Sequence, residues 1–349
     1  MVPNQPRRKY VTRYSYSRLN TYVNCPFKYY LQYEQKHYIY MPNLAAEFGT
    51  LLHKIEERIA HAIMAEQPID YDSLRYDFMN YNIPKTSPAD TDGDIYGINI
   101  LKNKYHDEFY EIDQRGNSYY MKAIEYYERG IYRLENFMKE NPNLRLVDVE
   151  RYFEINYNQY VMQGYIDRIL QDKETGEYII CDIKTKDHPF SDKELTTPLQ
   201  FVVYSMGIKD MFNLDYYPDK CYYDLPICNI RQKAGTKGFI KRGIKKLDKI
   251  FNGINVEKDF SATPSPLCYW CPFSYTNPNQ QPEGKRLCPY FSLWTQTNNA
   301  KGYECMNKWE GMERHSIVLK KFLEEQGGYE NEEKEKRKDT SFSDFPFPF

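Results

Sequence analysis

Two apolar runs joined by a short turn constrain the fold of this chain more than any other segment. The stretch GYIDRILQDKETGEYIICDIKTKD runs from Gly164 to Asp187 and has the polar turn residues Glu174-Thr175-Gly176-Glu177 at its centre. Such a turn between runs rich in Ile and Tyr predicts a β-hairpin. The two strands also carry charge, because Asp167 lies in the first run and Asp182 and Lys184 lie in the second.

The alternation of side chains along a strand indicates what these charged residues do. Asp182 and Lys184 are two residues apart and therefore point to the same face, which Asp167 approaches if the strands pair through their turn. Two neighbouring carboxylates repel each other unless a cation lies between them, and oxygen ligands suit Mg²⁺ or Mn²⁺. Such an ion activates water and stabilises charge on a scissile phosphate, with Lys184 assisting. A surface hairpin with an Asp–Lys ion pair is the alternative.

The rest of the chain predicts a mixed α/β protein with a helical first half, a central mixed sheet and an irregular C-terminal part. A helix that breaks at Cys25-Pro26 is expected near the start, and the apolar spacing predicts an amphipathic helix over 45–66. A polar, turn-rich stretch is expected to follow it. Further helices are predicted twice within 97–140 and once each over 192–212 and 238–254, and further strands from Leu144 onward and at 221–228.

Three motifs in this order resemble a known family. GYIDRI, CDIKT and LQFVVY are similar to the motifs of the PD-(D/E)xK nuclease superfamily, specifically its RecB-like exonuclease branch, over roughly residues 15–290. The resemblance implies a restriction-endonuclease-like core, a central mixed β-sheet flanked by helices. It implies that Asp167, Asp182 and Lys184 are catalytic, and that Gln200 and Tyr204, on one face of the following helix, help to hold the lysine and the substrate backbone.

The same branch has an upstream helix with the pattern G-T-x-x-H-x-x-x-E. The segment GTLLHKIEE matches it with Gly49, Thr50, His53 and Glu57. Many members have Glu where this chain has Asp182, a change that the branch accepts. By this resemblance a catalytic Mg²⁺ or Mn²⁺ ion is bound by His53, Asp167, Asp182 and the backbone carbonyl of Ile183.

The eight cysteines form two groups. Cys181, Cys221 and Cys228 lie in apolar, strand-like runs and are interpreted as small core residues. Without a secretion signal, the others indicate metal ligation or free thiols rather than disulfides. The segments around them resemble a subset of the branch that holds a structural [4Fe–4S] cluster, such as the AddB nuclease domain and the CRISPR-associated adaptation exonuclease. The implied ligands are Cys25, Cys268, Cys271 and Cys288.

Alternatives to this cluster stay open. The gap from Cys271 to Cys288 is longer than in many relatives, so that Cys305 is a rival for the fourth ligand. Four cysteines also make a structural zinc site, and free thiols are the third possibility. In either metal-bound form the cysteine clasp would join the start of the chain to its C-terminal part, which is a structural role.

The sequence divides into five expected parts. These are a basic flexible arm at 1–14, a helical part with the first cluster cysteine and the histidine motif at 15–143, the nuclease core at 144–260, a Cys-rich cluster segment at 261–323, and a disordered tail at 324–349. The tail ends in SFSDFPFPF, which resembles the acidic, Pro-Phe-terminated tip of bacterial single-stranded-DNA-binding proteins. It predicts a docking peptide, Phe342–Phe349, for a replication or repair protein; self-inhibition and an unselected disordered end are the alternatives.

These features together predict a metal-dependent DNA exonuclease of phage or bacterial recombination, repair or replication. The alternative is a nucleic-acid-binding scaffold subunit with a vestigial nuclease site. The net charge of −2 does not exclude DNA as the partner, because a local basic surface suffices. No apolar run approaches the roughly 20 residues that span a bilayer, and the first residues lack a signal peptide. A cytoplasmic location without membrane contact is therefore expected.

Overall fold

The computed structural model describes residues 12–37, 43–83, 95–113, 115–263, 265, 267–268 and 271–273. Outside these residues lie Cys288, Cys305, the tail, most of the Cys-rich segment and nearly all of the basic arm. The chain forms two compact units. We call Met1–Tyr16 with Pro42–Lys249 the sheet unit, and Ser17–Met41 with Ile250–Phe349 the terminal unit.

Strands and helices alternate through most of the described chain. The strands are β1 Arg13–Tyr14, β2 Asn82–Ile83, β3 Ile95–Tyr96, β4 Leu144–Tyr157, β5 Tyr160–Asp172, β6 Tyr178–Ile183, β7 Lys220–Leu225 and β8 Ile230–Ala234. The helices are α1 Tyr16–Asn24, α2 Pro26–Tyr29 with the π-helical turn Tyr30–Glu34, α3 Leu44–Met64, α4 Tyr71–Asn80, α5 Ile98–Lys104, α6 His106–Tyr110, α7 Tyr119–Glu128, the 3₁₀ turn Gly130–Tyr132, α8 Arg133–Glu140, α9 Asp192–Thr196, α10 Leu199–Met211 and α11 Phe239–Val256.

A mixed sheet forms the centre of the sheet unit, as expected. Among the described residues it has six strands, in the order β1-β5-β6-β7-β8, with β4 also paired to β5. β5 is antiparallel to β4 and β6, and β7 is antiparallel to β8. The β6–β7 and β1–β5 pairs are parallel. β2 and β3 form a separate two-stranded ribbon.

The hairpin predicted from the sequence is β5 and β6. Its turn is built by Asp172, whose Oδ1 accepts hydrogen bonds from the backbone N–H groups of Glu174 and Thr175 at 2.9 and 3.0 Å. Gly176 has a φ of +72°, which a residue without a Cβ adopts at no steric cost. The pairing of Arg168 with Cys181 fixes the register of the two strands.

Helices pack on both faces of the sheet. α3 begins at the Asn43 cap and buries an apolar stripe that includes Phe48, Leu52 and Ile55. Ile183 of β6 belongs to the same core cluster as this stripe. Its neighbour Asp182 instead contacts Gln200 of α10. Because successive residues of a strand point to opposite faces, α3 and α10 lie on opposite sides of β6.

α10 lies unusually close to β4. A Cβ added at Gly207 would lie 2.6 Å from the Cδ2 atom of Phe153, so only glycine permits this packing. Tyr204, one turn earlier, makes an edge contact with the same Phe153 ring. This close packing brings the polar residues of α10, such as Gln200, near the sheet.

Some elements differ from the sequence-based expectation. The turn-rich stretch after residue 66 contains α4, and the region 97–140 contains four α-helices rather than two. The single helix expected over 192–212 is two helices, because the residue before Pro198 is disfavoured in the helical conformation. β8 was not predicted at all. No helix in the described part of the chain combines the length and apolarity needed to cross a bilayer.

Candidate active site

The β5–β6 register brings two carboxylates together in the sheet unit. Since Arg168 pairs with Cys181, the preceding Asp167 lies opposite Asp182. Both side chains are buried. The backbone N–H of Ile183 donates a hydrogen bond to Oδ2 of Asp167 at 2.6 Å. Burial, together with the charge of Asp167, raises the pKa of Asp182 to about 6. The pair therefore favours a neighbouring positive charge.

Lys184 supplies one such charge. Its Nζ atom lies 2.6 Å from Oδ2 of Asp182, and about a third of its side chain is exposed. Burial opposes the charge on Lys184, but the carboxylates of Asp182 and Asp167 outweigh this effect and raise the pKa of the ammonium group. The backbone N–H of Lys184 donates to the carbonyl oxygen of Asp224 at 2.9 Å, which fixes the lysine at the end of β6. A protonated amine thus faces outward from a buried carboxylate.

A second group of side chains offers ligand atoms for a cation. His53, Glu150 and Asp167 have ligand atoms that all lie within 4.8 Å of one another. Nδ1 of His53 is 3.6 Å from Oε1 of Glu150 and 3.9 Å from Oδ2 of Asp167. Burial opposes protonation of His53, but Asp167 and Glu150 together raise the pKa of its imidazole. A mixed set of one nitrogen and carboxylate oxygens suits a divalent ion such as Mn²⁺.

Glu150 is the member of this group that the sequence analysis missed. It lies in β4 between Val149, which pairs with Arg168, and Arg151, which pairs with Ile166. This register places Glu150 opposite Asp167. Its φ of +45° is in the left-handed region, which is costly for a residue with a Cβ. Backbone strain of this kind persists where the surrounding structure or a function requires it.

Gln200 and Tyr204 of α10 contact the second carboxylate. Nε2 of Gln200 donates to Oδ1 of Asp182 at 2.8 Å and lies 2.8 Å from the hydroxyl of Tyr204. Burial raises the pKa of Tyr204 well above its usual value, so that the hydroxyl stays neutral. Asp182 is held by Gln200 on one oxygen and by Lys184 on the other. The described contact of Gln200 is therefore with Asp182 rather than with the lysine, and the ligand role of the Ile183 carbonyl stays a prediction.

A buried ionic network supports these residues from behind. Arg168, which follows Asp167, donates to Glu56 of α3 and, at 2.9 Å, to Oδ2 of Asp224. Tyr126 donates to Glu56 at 2.8 Å. Arg133 and Arg231 also pair with Asp224, at 2.7 and 3.1 Å. The network joins α3, β5 and β7 directly beneath the residues that carry the candidate metal ligands.

The glutamate of the helix motif, Glu57, is not the glutamate that joins the buried ionic network. Glu57, which the motif singles out, pairs with Lys54 of its own helix at 2.8 Å. Its neighbour Glu56 is buried and binds Arg168. A charged residue on the apolar face of an amphipathic helix is the sequence signal that identifies Glu56, because Ile55 and Ile59 on either side of it are fully buried.

The terminal unit brings together three of the six described cysteines, Cys25, Cys268 and Cys271. Sγ of Cys25 accepts from the backbone N–H groups of Lys28 and Thr263 at 3.4 and 3.5 Å. Sγ of Cys268 accepts from the N–H of Ser265 at 3.3 Å. Burial, with smaller contributions from Cys271 and Cys25, raises the pKa of the Cys268 thiol to about 12. Thiols that accept backbone N–H bonds fit the thiolate ligands of a metal centre. In the sheet unit, Cys181 and Cys221 are core residues as predicted, and Cys228 is half-buried.

Comparison with known proteins identifies a family for this chain. A family model described as the PD-(D/E)XK nuclease superfamily matches residues 13–275. No curated protein matches the chain. A solved structure titled "Crystal structure of SSO0001" is 18% identical, and the match covers 52% of this chain and 80% of that chain. Its TM-score of 0.25 is too low for the match to support an argument.

Proposed function

The chain belongs to the PD-(D/E)XK nuclease superfamily, and on this premise we propose that it is a metal-dependent DNA exonuclease. Membership itself indicates a nuclease that uses divalent metal ions. The observation that supports the proposal is the arrangement of Asp167, Asp182 and Lys184 on one hairpin, beside His53 and Glu150. Its substrate would be single-stranded DNA or the ends of duplex DNA.

The residues fit a divalent cation. Asp167, Glu150 and His53 would hold it, with Asp182 opposite Asp167 as a further carboxylate. When bound, a Mg²⁺ or Mn²⁺ ion activates water and neutralises charge on the phosphodiester. The Ile183 N–H orients Asp167, and Gln200 orients Asp182. The partly exposed ammonium of Lys184 would orient the attacking water or stabilise the developing oxyanion.

Cleavage of labelled DNA in Mg²⁺ or Mn²⁺ tests this proposal. We expect Asp182→Asn and Lys184→Met to lose about 100-fold or more in rate, as for the loss of one group that stabilises transition-state charge. His53→Ala is expected to lose activity as well, whereas its matched control His61→Ala, on an exposed position of the same helix, keeps it. Equal degradation by the wild type and by the Asp182 and Lys184 variants would refute the nuclease proposal. The alternative, a scaffold subunit with a vestigial nuclease site, would then remain.

The exonuclease character needs a separate comparison. An enzyme that requires a DNA end degrades a linear substrate and leaves a covalently closed circle of the same sequence intact. Cleavage of the circle at the same rate would make the protein an endonuclease of the same family. A matched RNA substrate separates DNA cleavage from RNA cleavage.

We also propose that the protein belongs to the RecB-like branch and that its cysteines hold a structural [4Fe–4S] cluster. Cys25, Cys268 and Cys271 would supply three ligands, and Cys288, or in its place Cys305, would supply the fourth. The support is the approach of three described cysteines in the terminal unit. We expect the anaerobically purified protein to be brown and to contain iron and acid-labile sulfide. Zinc in their place would replace the cluster with a zinc site.

The setting we propose is the recombination, repair or replication of phage or bacterial DNA in the cytoplasm. The aromatic and acidic tip Phe342–Phe349 would recruit a replication or repair protein. The immobilised full-length chain is expected to capture that partner, and deletion of residues 340–349 is expected to abolish the capture. Unchanged capture would remove the docking role of the tail without affecting the nuclease proposal.

A further inference from the structure

A strongly basic segment precedes and includes the first half of α11. Between residues 233 and 249 the chain has seven basic residues and one acidic residue, Asp248, although the whole chain has a net charge of −2. This local excess is therefore not a property of the composition as a whole. A concentration of positive charge on one surface attracts polyanions, whatever the net charge of the protein.

The lysines of this segment are exposed and lie along one side of α11. Lys241, Lys245, Lys246 and Lys249, which we call the lysine stripe, are all solvent-exposed. At 3.6 residues per turn they fall within an arc of about 140°. None of the four forms an ion pair with any other residue that the structure describes. Their charges are thus not neutralised by neighbouring carboxylates in the described chain.

The acidic residue of the helix is directed to another contact. Oδ1 of Asp248 accepts a hydrogen bond of 2.6 Å from the hydroxyl of Tyr157 on β4. This contact raises the pKa of Tyr157, after the larger effect of burial. The carboxylate of Asp248 keeps its charge, but it is the one acidic residue among seven basic ones, so that the segment 233–249 retains a net charge of +6.

The helix that carries the stripe packs directly against α10, a helix of the candidate active site. A Cβ added at Gly243 would lie 2.2 Å from Cγ2 of Val202, so α11 touches α10 with little space between them. α10 also carries Gln200, which holds Asp182. At the start of α11, Arg242 donates to the carbonyl oxygen of Lys237 at 2.7 Å and fixes the preceding loop. The packing of α11 on α10 therefore links the stripe to the helix that contacts Asp182.

We propose that the lysine stripe of α11 is a DNA-backbone binding surface that holds the substrate outside the catalytic centre. The stripe rises about 12 Å from Lys241 to Lys249, a length of duplex that carries about seven phosphate charges. The contact is electrostatic and independent of base sequence. It rests on the proposed function in one respect, the choice of DNA as the polyanion.

Binding of a fluorescein-labelled single-stranded oligonucleotide to the full chain, without added divalent cation, tests the stripe. The triple variant Lys241→Gln, Lys245→Gln, Lys249→Gln removes three of its charges. We expect the slope of log K against log salt to become shallower by about 2, and the affinity at 0.1 M salt to fall about 100-fold. The matched control Lys139→Gln, Arg145→Gln, Lys173→Gln removes the same charge from exposed positions elsewhere and is expected to bind like the wild type.

Three results would overturn the inference. These are no binding by the wild type, an unchanged slope in the stripe variant, and an equal loss in the control variant. Because cleavage is not measured, a protein without nuclease activity can still show the expected binding, and an active nuclease can fail to show it. The inference and the proposed function are thus tested separately.

Discussion

Glu150 combines an unfavourable backbone conformation with a position at the candidate metal site. Its φ of +45° costs about 1–3 kcal/mol for a residue with a Cβ. Its carboxylate lies 3.6 Å from His53, in the group that also contains Asp167. Replacement of Glu150 by glycine would therefore relieve backbone strain and stabilise the fold, but it would also remove a candidate metal ligand.

This opposition gives a prediction for two variants of Glu150. Without metal, Glu150→Gly is expected to have a free energy of unfolding about 1 kcal/mol higher than Glu150→Ala, because glycine adopts positive φ without strain. Both variants are expected to lose most of the stabilisation that the wild type gains from Mn²⁺. Urea unfolding with and without Mn²⁺ measures both effects.

The control for this experiment is Glu154→Ala on the same strand, which removes an exposed carboxylate paired with Arg13. It should respond to Mn²⁺ like the wild type. A Glu150→Ala protein that Mn²⁺ still stabilises fully would show that Glu150 is not a ligand.

At the scale of elements, Asp224 connects β7 to three arginines on three other elements. Arg133 of α8, Arg168 of β5 and Arg231 of β8 all lie within 3.1 Å of its oxygens. Burial alone would raise the pKa of Asp224, but the three guanidinium groups outweigh it and lower the pKa to about 2. The ionised carboxylate is thus an integral part of the packing between these elements.

The depressed pKa predicts a pH dependence of stability. A carboxyl group with a folded-state pKa of about 2 and an ordinary value of 3.8 stabilises the fold above pH 4, and this contribution is lost as the pH falls toward 2. The lost part is roughly 2 kcal/mol. Asp224→Asn is expected to be less stable than the wild type by about 3–5 kcal/mol at pH 6, and this difference should shrink as the pH falls.

Urea unfolding of both proteins between pH 6 and pH 2.5 measures the difference directly. The comparison Asp210→Asn removes an exposed carboxylate at the end of α10 and should stay within about 0.5 kcal/mol of the wild type throughout. A difference between the wild type and Asp224→Asn that does not change with pH would contradict the ionic role of Asp224.

The elements that sequence reasoning found are those with a strong local pattern. α3 has its apolar residues at helical spacing, and the β5–β6 hairpin has two apolar runs around a turn. α4 was missed because only Leu74 and Phe78 of its ten residues are buried. β8 was missed because IRQKA has no alternation, and its pairing with β7 decides its conformation.

The site was predictable to the extent that its residues lie in short motifs. The motifs identify five residues: Asp167, Asp182, Lys184, Gln200 and Tyr204. In the structure they lie in one network of contacts. Glu150 could not be selected, because its proximity to Asp167 depends on the β4–β5 register, which no local pattern specifies. The motif spacing selects Glu57, but the buried glutamate is Glu56, because burial depends on which face of the helix a residue occupies.

At the scale of the whole molecule, the terminal unit joins segments that are far apart in the chain. The N–H of Thr263 donates to Sγ of Cys25 across 238 positions. Tyr22 donates to Glu257 at 3.2 Å, and Phe260 stacks on Tyr30. A covalent or metal bridge across a loop of this length removes conformational entropy from the unfolded chain equivalent to about 5 kcal/mol.

The proposed metal bridge predicts that loss of one cysteine ligand increases sensitivity to protease. Cys25→Ser is expected to lose bound metal and to be cut faster between residues 17 and 37 in limited proteolysis followed by mass spectrometry, because the long loop is no longer closed. The matched control Cys228→Ser changes a half-buried thiol of the sheet unit and should leave this segment protected. Equal protection in the wild type and Cys25→Ser would show that the cysteine does not hold the segments together.

The discontinuity of the terminal unit also imposes an order on biosynthesis. Its first segment ends at Met41 and its second begins at Ile250. At about 5–20 residues per second, a ribosome spends some ten seconds or more on the intervening chain. Until this interval ends, the nascent α1 and α2 lack the second segment of their own unit, whereas by its end every described strand of the central sheet has been translated. The sheet unit is thus ready to fold before the later cysteines of the proposed clasp are synthesised.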